Sequence, residues 1–187
     1  MKKIAITFLF VSVFAVAKGK SEIKNDRFIS EKWKVSIKVP RHWQATEKTS
    51  YPNILIWLAQ PKARMLFTAE TVDAKLDSQR YAEATLKELT DLGFVTRTPQ
   101  LHSSTGAFWI DYNNDIRFLR TALLIYKGVG YSLTLAADEP KVRSKLLRSF
   151  DSTLRSIKPL RGEKQASPKD LVPQEDVEQD DPPNPKN

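Results

Sequence analysis

The 187-residue chain carries a formal net charge of +8, 41% hydrophobic residues and no cysteine. The missing thiols exclude disulfide staples, cysteine nucleophiles, iron–sulfur clusters and cysteine-based zinc sites. The charge is unevenly spread: of 30 basic and 22 acidic residues, the last 27 positions hold four and seven, a net −3, and Lys2 and Lys3 hold two more basic ones, so 24 basic face 15 acidic residues in between, a net +9. Such an excess serves plain solubility, or a face that meets anionic headgroups, a cell-wall polymer or an acidic partner.

In chain order, "MKKIAITFLFVSVFAVAKGKSE" begins with two lysines, continues with an uncharged apolar run from Ile4 to Ala17, and closes on Ala15-Val16-Ala17. This is the layout of a secretory signal peptide over residues 1–17, cut between Ala17 and Lys18. The rival, a retained membrane anchor, needs about 20 apolar residues, and this run has 14. The layout predicts a bacterial protein exported to the periplasm or beyond, with no membrane span in the mature chain. Residues 18–31 read as a lead segment, and 32–160 as one domain.

"KWKVSIKV" (32–39) alternates, with Trp33, Val35, Ile37 and Val39 on one side and Lys32, Lys34, Ser36 and Lys38 on the other, the pattern of a half-buried strand. Residues 53–61 and 63–72 read as a hairpin turning at Gln60-Pro61-Lys62. Residues 77–94 read as a helix: Asp77 or Ser78 caps it, Tyr81, Ala82, Thr85, Leu86, Leu89 and Leu92 form its apolar stripe, and Gly93 with Phe94 closes it. Strands follow at about 94–101, 106–113, 116–126 and 129–136. "IRFLRTALLIY" is apolar on both faces, so it is covered on both. A last helix spans 138–158, capped by Asp138, with Pro140 in its first turn, a stripe of Val142, Leu146, Phe150, Leu154 and Ile157, and Pro159 as its stop. Residues 161–187, rich in proline and acid, bury too little apolar surface to fold and are expected to be disordered. The order is βββ-α-ββββ-α, an α+β fold with an antiparallel sheet and a helix on each face.

Three stretches carry a resemblance: "VPRHW" (39–43) closing a strand, "GYSLTLAAD" (130–138) leading into the last helix, and "LLRSFDSTLRSIKP" (146–159) within it. Together they resemble the PsbP/DcrB-like α/β/α sandwich family over Trp33 to Pro159. The resemblance implies a binding or accessory module, as in photosystem assembly or partner binding at an envelope, and it brings no catalytic residues. Many bacterial relatives are lipoproteins; this chain has no cysteine to carry a lipid.

Few residues suggest chemistry. His42 and His102 are the only histidines, too few for a tetrahedral zinc site without carboxylates from elsewhere. "DYNND" (111–115) starts like a calcium loop but places Ile116 where glycine belongs and Ala122 where the bidentate glutamate belongs, so a polar hairpin tip is expected. "GVG" (128–130) has no helix behind it to hold a phosphate. No G-x-S-x-G or H-E-x-x-H string occurs. Phe108, Trp109, Tyr112 and Phe118, interleaved with Arg117 and Arg120, could stack on single-stranded nucleic acid, but a two-sided core explains them equally, and export argues against nucleic acid. At "VPRHW", Pro40 ends the ladder, Trp43 plugs the sheet edge, and Arg41 and His42 face water; the alternative is a ligand cradle of Arg41, His42 and Trp43. The expectation is a non-enzymatic exported protein, without metal or cofactor, that binds a partner protein or an anionic envelope component. Its candidate binding residues are Arg41, His42, Trp43, Arg64, Arg97, Arg117 and Arg120. The alternative is a cell-envelope hydrolase with a dispersed active site around His42 or His102.

Overall fold

The computed structural model describes residues 20–47 and 53–160. The expected signal peptide with its Ala17–Lys18 cleavage point and the tail 161–187 lie outside the described residues. The strands are β1 (Ser21–Lys24), β2 (Arg27–Ser30), β3 (Val35–Lys38), β4 (Gln44–Thr46), β5 (Ile54–Gln60) and β6 (Ala63–Thr71), then α1 (Ser78–Asp91). After it come β7 (Val95–Thr96), β8 (Gln100–His102), β9 (Ala107–Asn113), β10 (Phe118–Tyr126), β11 (Val129–Ala137), α2 (Pro140–Arg155) and β12 (Lys158–Pro159). A large sheet runs in the order β4-β5-β6-β11-β10-β9-β7, with β8 also on β9, and a small one in the order β1-β2-β3-β12. Both are antiparallel throughout.

The small sheet is the main departure from the sequence reading. The lead segment 18–31 is no mere lead, because Asn25 and Asp26 take φ of 48° and 57° and turn β1 back on β2. Two successive positive φ values are what a two-residue hairpin turn requires. The strand expected from Lys32 begins only at Val35, since Lys34 sits at φ 51°. Ser36, expected to be wet, is buried and accepts a hydrogen bond from Arg27 Nη2 at 2.9 Å. The last helix ends at Arg155 rather than 158, and Lys158 and Pro159 become β12 against β3. Leu160 N then donates to Lys34 O at 2.7 Å, so the small sheet joins the two ends of the described chain.

The helices cap much as their residues suggest. Asp77 Oδ1 accepts from Arg80 N at 2.8 Å. Gly93 takes φ 86°, and Phe94 N reaches back to Leu89 O at 3.0 Å, which satisfies a carbonyl the helix leaves open. For α2 the cap position is Glu139, not Asp138, and no side chain bonds there. The Asp138 carboxylate lies 3.8 Å from Arg117 Nε instead.

The helices lie on opposite faces of the large sheet. Phe28 and Ile37 of the small sheet, Phe67 and Leu133 of the large one, and Phe150 and Leu154 of α2 share one fully buried cluster. Tyr131 stacks beside Phe67 at 6.0 Å and donates from its hydroxyl to Trp33 O at 2.8 Å. Burial pushes that phenol up to about 12. On the other face α1 sets Ala82, Leu86 and Leu89 over Ile110, Tyr112 and Leu123. β10 feeds both clusters, Ala122 and Leu124 into one and Leu119 and Leu123 into the other, which accounts for its doubly apolar run. The aromatic string divides likewise: Phe108 and Tyr112 pack under α1, while Trp109 packs on the α2 side.

Candidate functional site

The seven candidate residues do not form one cluster. At the "VPRHW" corner the chain turns, with Trp43 N donating to Pro40 O at 3.3 Å and His42 at φ 65°. Trp43 points into the core at 8% exposure, while Arg41 and His42 face outward. Arg97 is exposed just past β7. Arg120 is held inside the fold, donating to both Asp111 oxygens at 2.7 Å with its guanidinium 4.7 Å from the Trp109 ring centroid. Arg143 of α2 grips the same carboxylate at 2.6 Å. Burial raises the Asp111 carboxyl, but the hydrogen bonds and charges of the two arginines outweigh that and hold it below the usual carboxylate range.

Arg64 and Arg117 do share one hollow. They line a concavity of about 200 Å³ at the end of the large sheet, together with Gln60, Lys62, Ala136 and Asp138. The register explains why. β6 and β11 pair Ala63 with Ala137 and Arg64 with Ala136, and the small side chains of Ala63 and Ala136 leave the space the arginines border. Arg117 arrives from the β9–β10 turn, where Asn114 Oδ1 accepts from Ile116 N at 3.0 Å and from Arg117 N at 2.8 Å. This is the polar tip expected of "DYNND". Asp138 N donates to Lys62 O at 3.0 Å and fixes the β5–β6 turn against the end of β11.

The pocket's charges are unequally engaged. Lys62 Nζ donates to Glu139 Oε1 at 2.6 Å, and that contact holds the lysine above and the glutamate below their ordinary values. Arg117 touches Asp138 only loosely, at 3.8 Å. Arg64 has no carboxylate partner among the described residues; its guanidinium lies 5.8 Å from the Trp57 ring centroid. Two arginines thus line one hollow whose lining carboxylate, Asp138, is held loosely by one of them, an arrangement suited to a phosphate or carboxylate. The roles of Lys62 and Asp138 here were missed in the sequence, which marked one as a turn residue and the other as a cap. Only the strand register brings them together.

His102 is buried, 2.8 Å from Thr105 Oγ1 and edge-on to Trp109 at 5.2 Å. Thr105 N and Gly106 N both donate to His102 O, so these contacts shape the β8–β9 turn.

No family model matches the chain, and no curated protein does. Among solved structures, the solution structure of cyanobacterial PsbP (CyanoP) from Synechocystis sp. PCC 6803 is similar, with a TM-score of 0.51, over 80% of this chain and 98% of that one. The fold is PsbP-like. At 12% identity the likeness concerns the fold alone. A crystal structure from Bacteroides thetaiotaomicron VPI-5482 is a weaker match, with a TM-score of 0.45 at 9% identity, over 76% of this chain and 52% of that one. Within the PsbP-like fold the basic pocket sits at one end of β10 and β11. The other end holds an apolar notch of about 350 Å³ bordered by Leu124, Tyr126, Ile157 and Pro159. Among the described residues no helix is long and apolar enough to cross a membrane.

Proposed function

We propose that this chain is an exported, non-enzymatic binding module that engages an anionic group of a partner protein or envelope component. The observation that carries this reading is the pocket lined by Arg64, without a carboxylate partner among the described residues, and by the loosely paired Arg117. A guanidinium offers a planar fork of donors that matches phosphate or carboxylate oxygens, and two such forks define both position and orientation. The signal-peptide layout of residues 1–17 and the basic excess of the domain agree with a site of this kind. Asp138 and Glu139 lower the pocket's net charge, which favours a partner that presents a defined anion over any polyanion.

A photo-crosslinking residue at Gln60, on the rim, tests this in intact cells. The expected result is a discrete adduct that disappears in the Arg64→Ala/Arg117→Ala double variant and fades as salt is raised in extracts. An adduct pattern unchanged by loss of both arginines overturns the proposal.

A further inference from the structure

The face of the large sheet that carries α1 is only partly covered. α1 packs over β7, β9 and β10. Beyond its edge, β6 and β11 form the floor of an open cleft of about 240 Å³, bordered on the helix side by Tyr81 and Glu88. The floor is hydroxylated. Thr68 and Ser132 are cross-strand partners 2.7 Å apart, and Thr134 and Thr121 are partners 2.8 Å apart. Thr121 also bonds the Tyr112 hydroxyl at 2.9 Å.

Counting protons shows what this floor presents. A hydroxyl has one proton to donate and two lone pairs. The chain Tyr112–Thr121–Thr134 has three protons for two hydrogen bonds, and the pair Thr68–Ser132 has two protons for one. Tyr112 and Thr121 are buried, whereas Thr134 is half-exposed, so the chain direction that leaves no buried donor unpaired is the one with the surplus proton on Thr134, at the cleft. The opposite rim supplies acceptors. The Tyr81 ring lies against Gly130, where a Cβ would come within 3.0 Å of it, and its hydroxyl donates to Glu70. Glu70 and Glu88 add carboxylate oxygens.

The cleft and the basic pocket share this face. Along β11 the residues pointing to it are Gly130, Ser132, Thr134 and Ala136, and along β6 they are Glu70, Thr68, Leu66 and Arg64. Thr134 and Ala136 are two residues apart, about 7 Å, and the whole row spans about 20 Å. The row is therefore polarised: arginines at one end, hydroxyls in the middle with Glu88 on the helix above them, and Glu70 at the other. An anion is drawn to the first end and repelled from the last, so a ligand enters in one orientation.

We infer that this row takes a monosaccharide-sized polyol bearing one anionic group, with the anion between Arg64 and Arg117 and the hydroxylated body over Ser132 and Thr134. The cleft volume lies below the roughly 300–1,000 Å³ of sites for drug-sized ligands, which sets the size. The inference rests on the anion site proposed above and names its ligand.

Backbone NMR titration of the mature protein tests it, with glucose 6-phosphate, glucose and inorganic phosphate as probes. Glucose 6-phosphate is expected to shift amides at both Arg64 and Thr134 and to bind at least about tenfold more tightly than phosphate. In Thr134→Val and, separately, Ser132→Ala, that preference is expected to collapse toward parity, with the rest of each spectrum unchanged as a check on folding. Equal binding of phosphate and glucose 6-phosphate by the unaltered protein overturns the polyol inference and leaves the anion site standing. Binding of glucose 6-phosphate that survives Arg64→Ala/Arg117→Ala overturns the anion site itself. A phosphodiester-linked glycan that binds more tightly than glucose 6-phosphate at equal phosphate concentration identifies a polymer as the natural source; equal or weaker binding identifies a free sugar phosphate.

Discussion

The two faces of the large sheet are built from the same strands and have opposite characters. On the α2 side, Met65, Phe67, Leu133 and Leu135 are fully buried beneath a helix and a second sheet. On the α1 side the intervening positions are Leu66, Thr68, Ser132 and Thr134, and only part of that face is roofed. Apolar burial is concentrated on the dry face, and the proposed recognition belongs to the wet one. A strand can do both because successive side chains point to opposite faces.

The sharpest way to break this contrast is to remove one large residue from each side. Phe150→Ala leaves a hole in the fully buried α2 layer and is expected to cost about 3–5 kcal/mol. Leu89→Ala, in the half-buried stripe of α1, should cost clearly less, because water and neighbouring side chains fill the space. Urea unfolding of the two variants measures the difference; equal losses would mean the faces contribute alike.

Next in size is the ion cluster on the α2 side. Asp111→Asn leaves Arg120 and Arg143 facing each other without a carboxylate and should cost on the order of 3 kcal/mol at neutral pH. The folded-state value of Asp111 is depressed, so its contribution is fully present above the ordinary carboxylate range and is lost as pH falls through the lowered value. The stability gap between the unaltered protein and Asp111→Asn should therefore narrow at acid pH below about 4. A gap that stays constant over pH 2–7 contradicts the clamp.

The smallest effect belongs to the cap of α1. Asp77→Ala frees the Arg80 amide and should cost about 1 kcal/mol, with faster hydrogen exchange confined to the first turn of α1. Exchange that spreads into β9 and β10 would show that the partial roof is less independent of the sheet than its packing suggests.

Much of the architecture could be read before any coordinates. The 3.6-residue stripes of α1 and α2, the Asp77 and Gly93 ends, and the doubly apolar run of β10 are local patterns, and each records in sequence which face is buried. The small sheet was legible only at β3, through the alternation of residues 32–39; β1, β2 and β12 are two to four residues long, too short to show a period. Residues 94–101 look continuous but divide into β7 and β8 around Pro99, which has no N–H for a ladder.

For the candidate site the limit was physical in another way. The arginines at 64 and 117 were visible as residue types, but nothing local distinguished them from Arg120, which spends its guanidinium on Asp111. The sequence by itself determined the periodicities, the two ends of α1 and the basic excess, because these depend on near neighbours along the chain. The shared pocket of Arg64 and Arg117, the clamp on Asp111 and the row of hydroxyls on β6, β11 and β10 were decided only by tertiary structure, because each depends on the register between strands far apart in the chain.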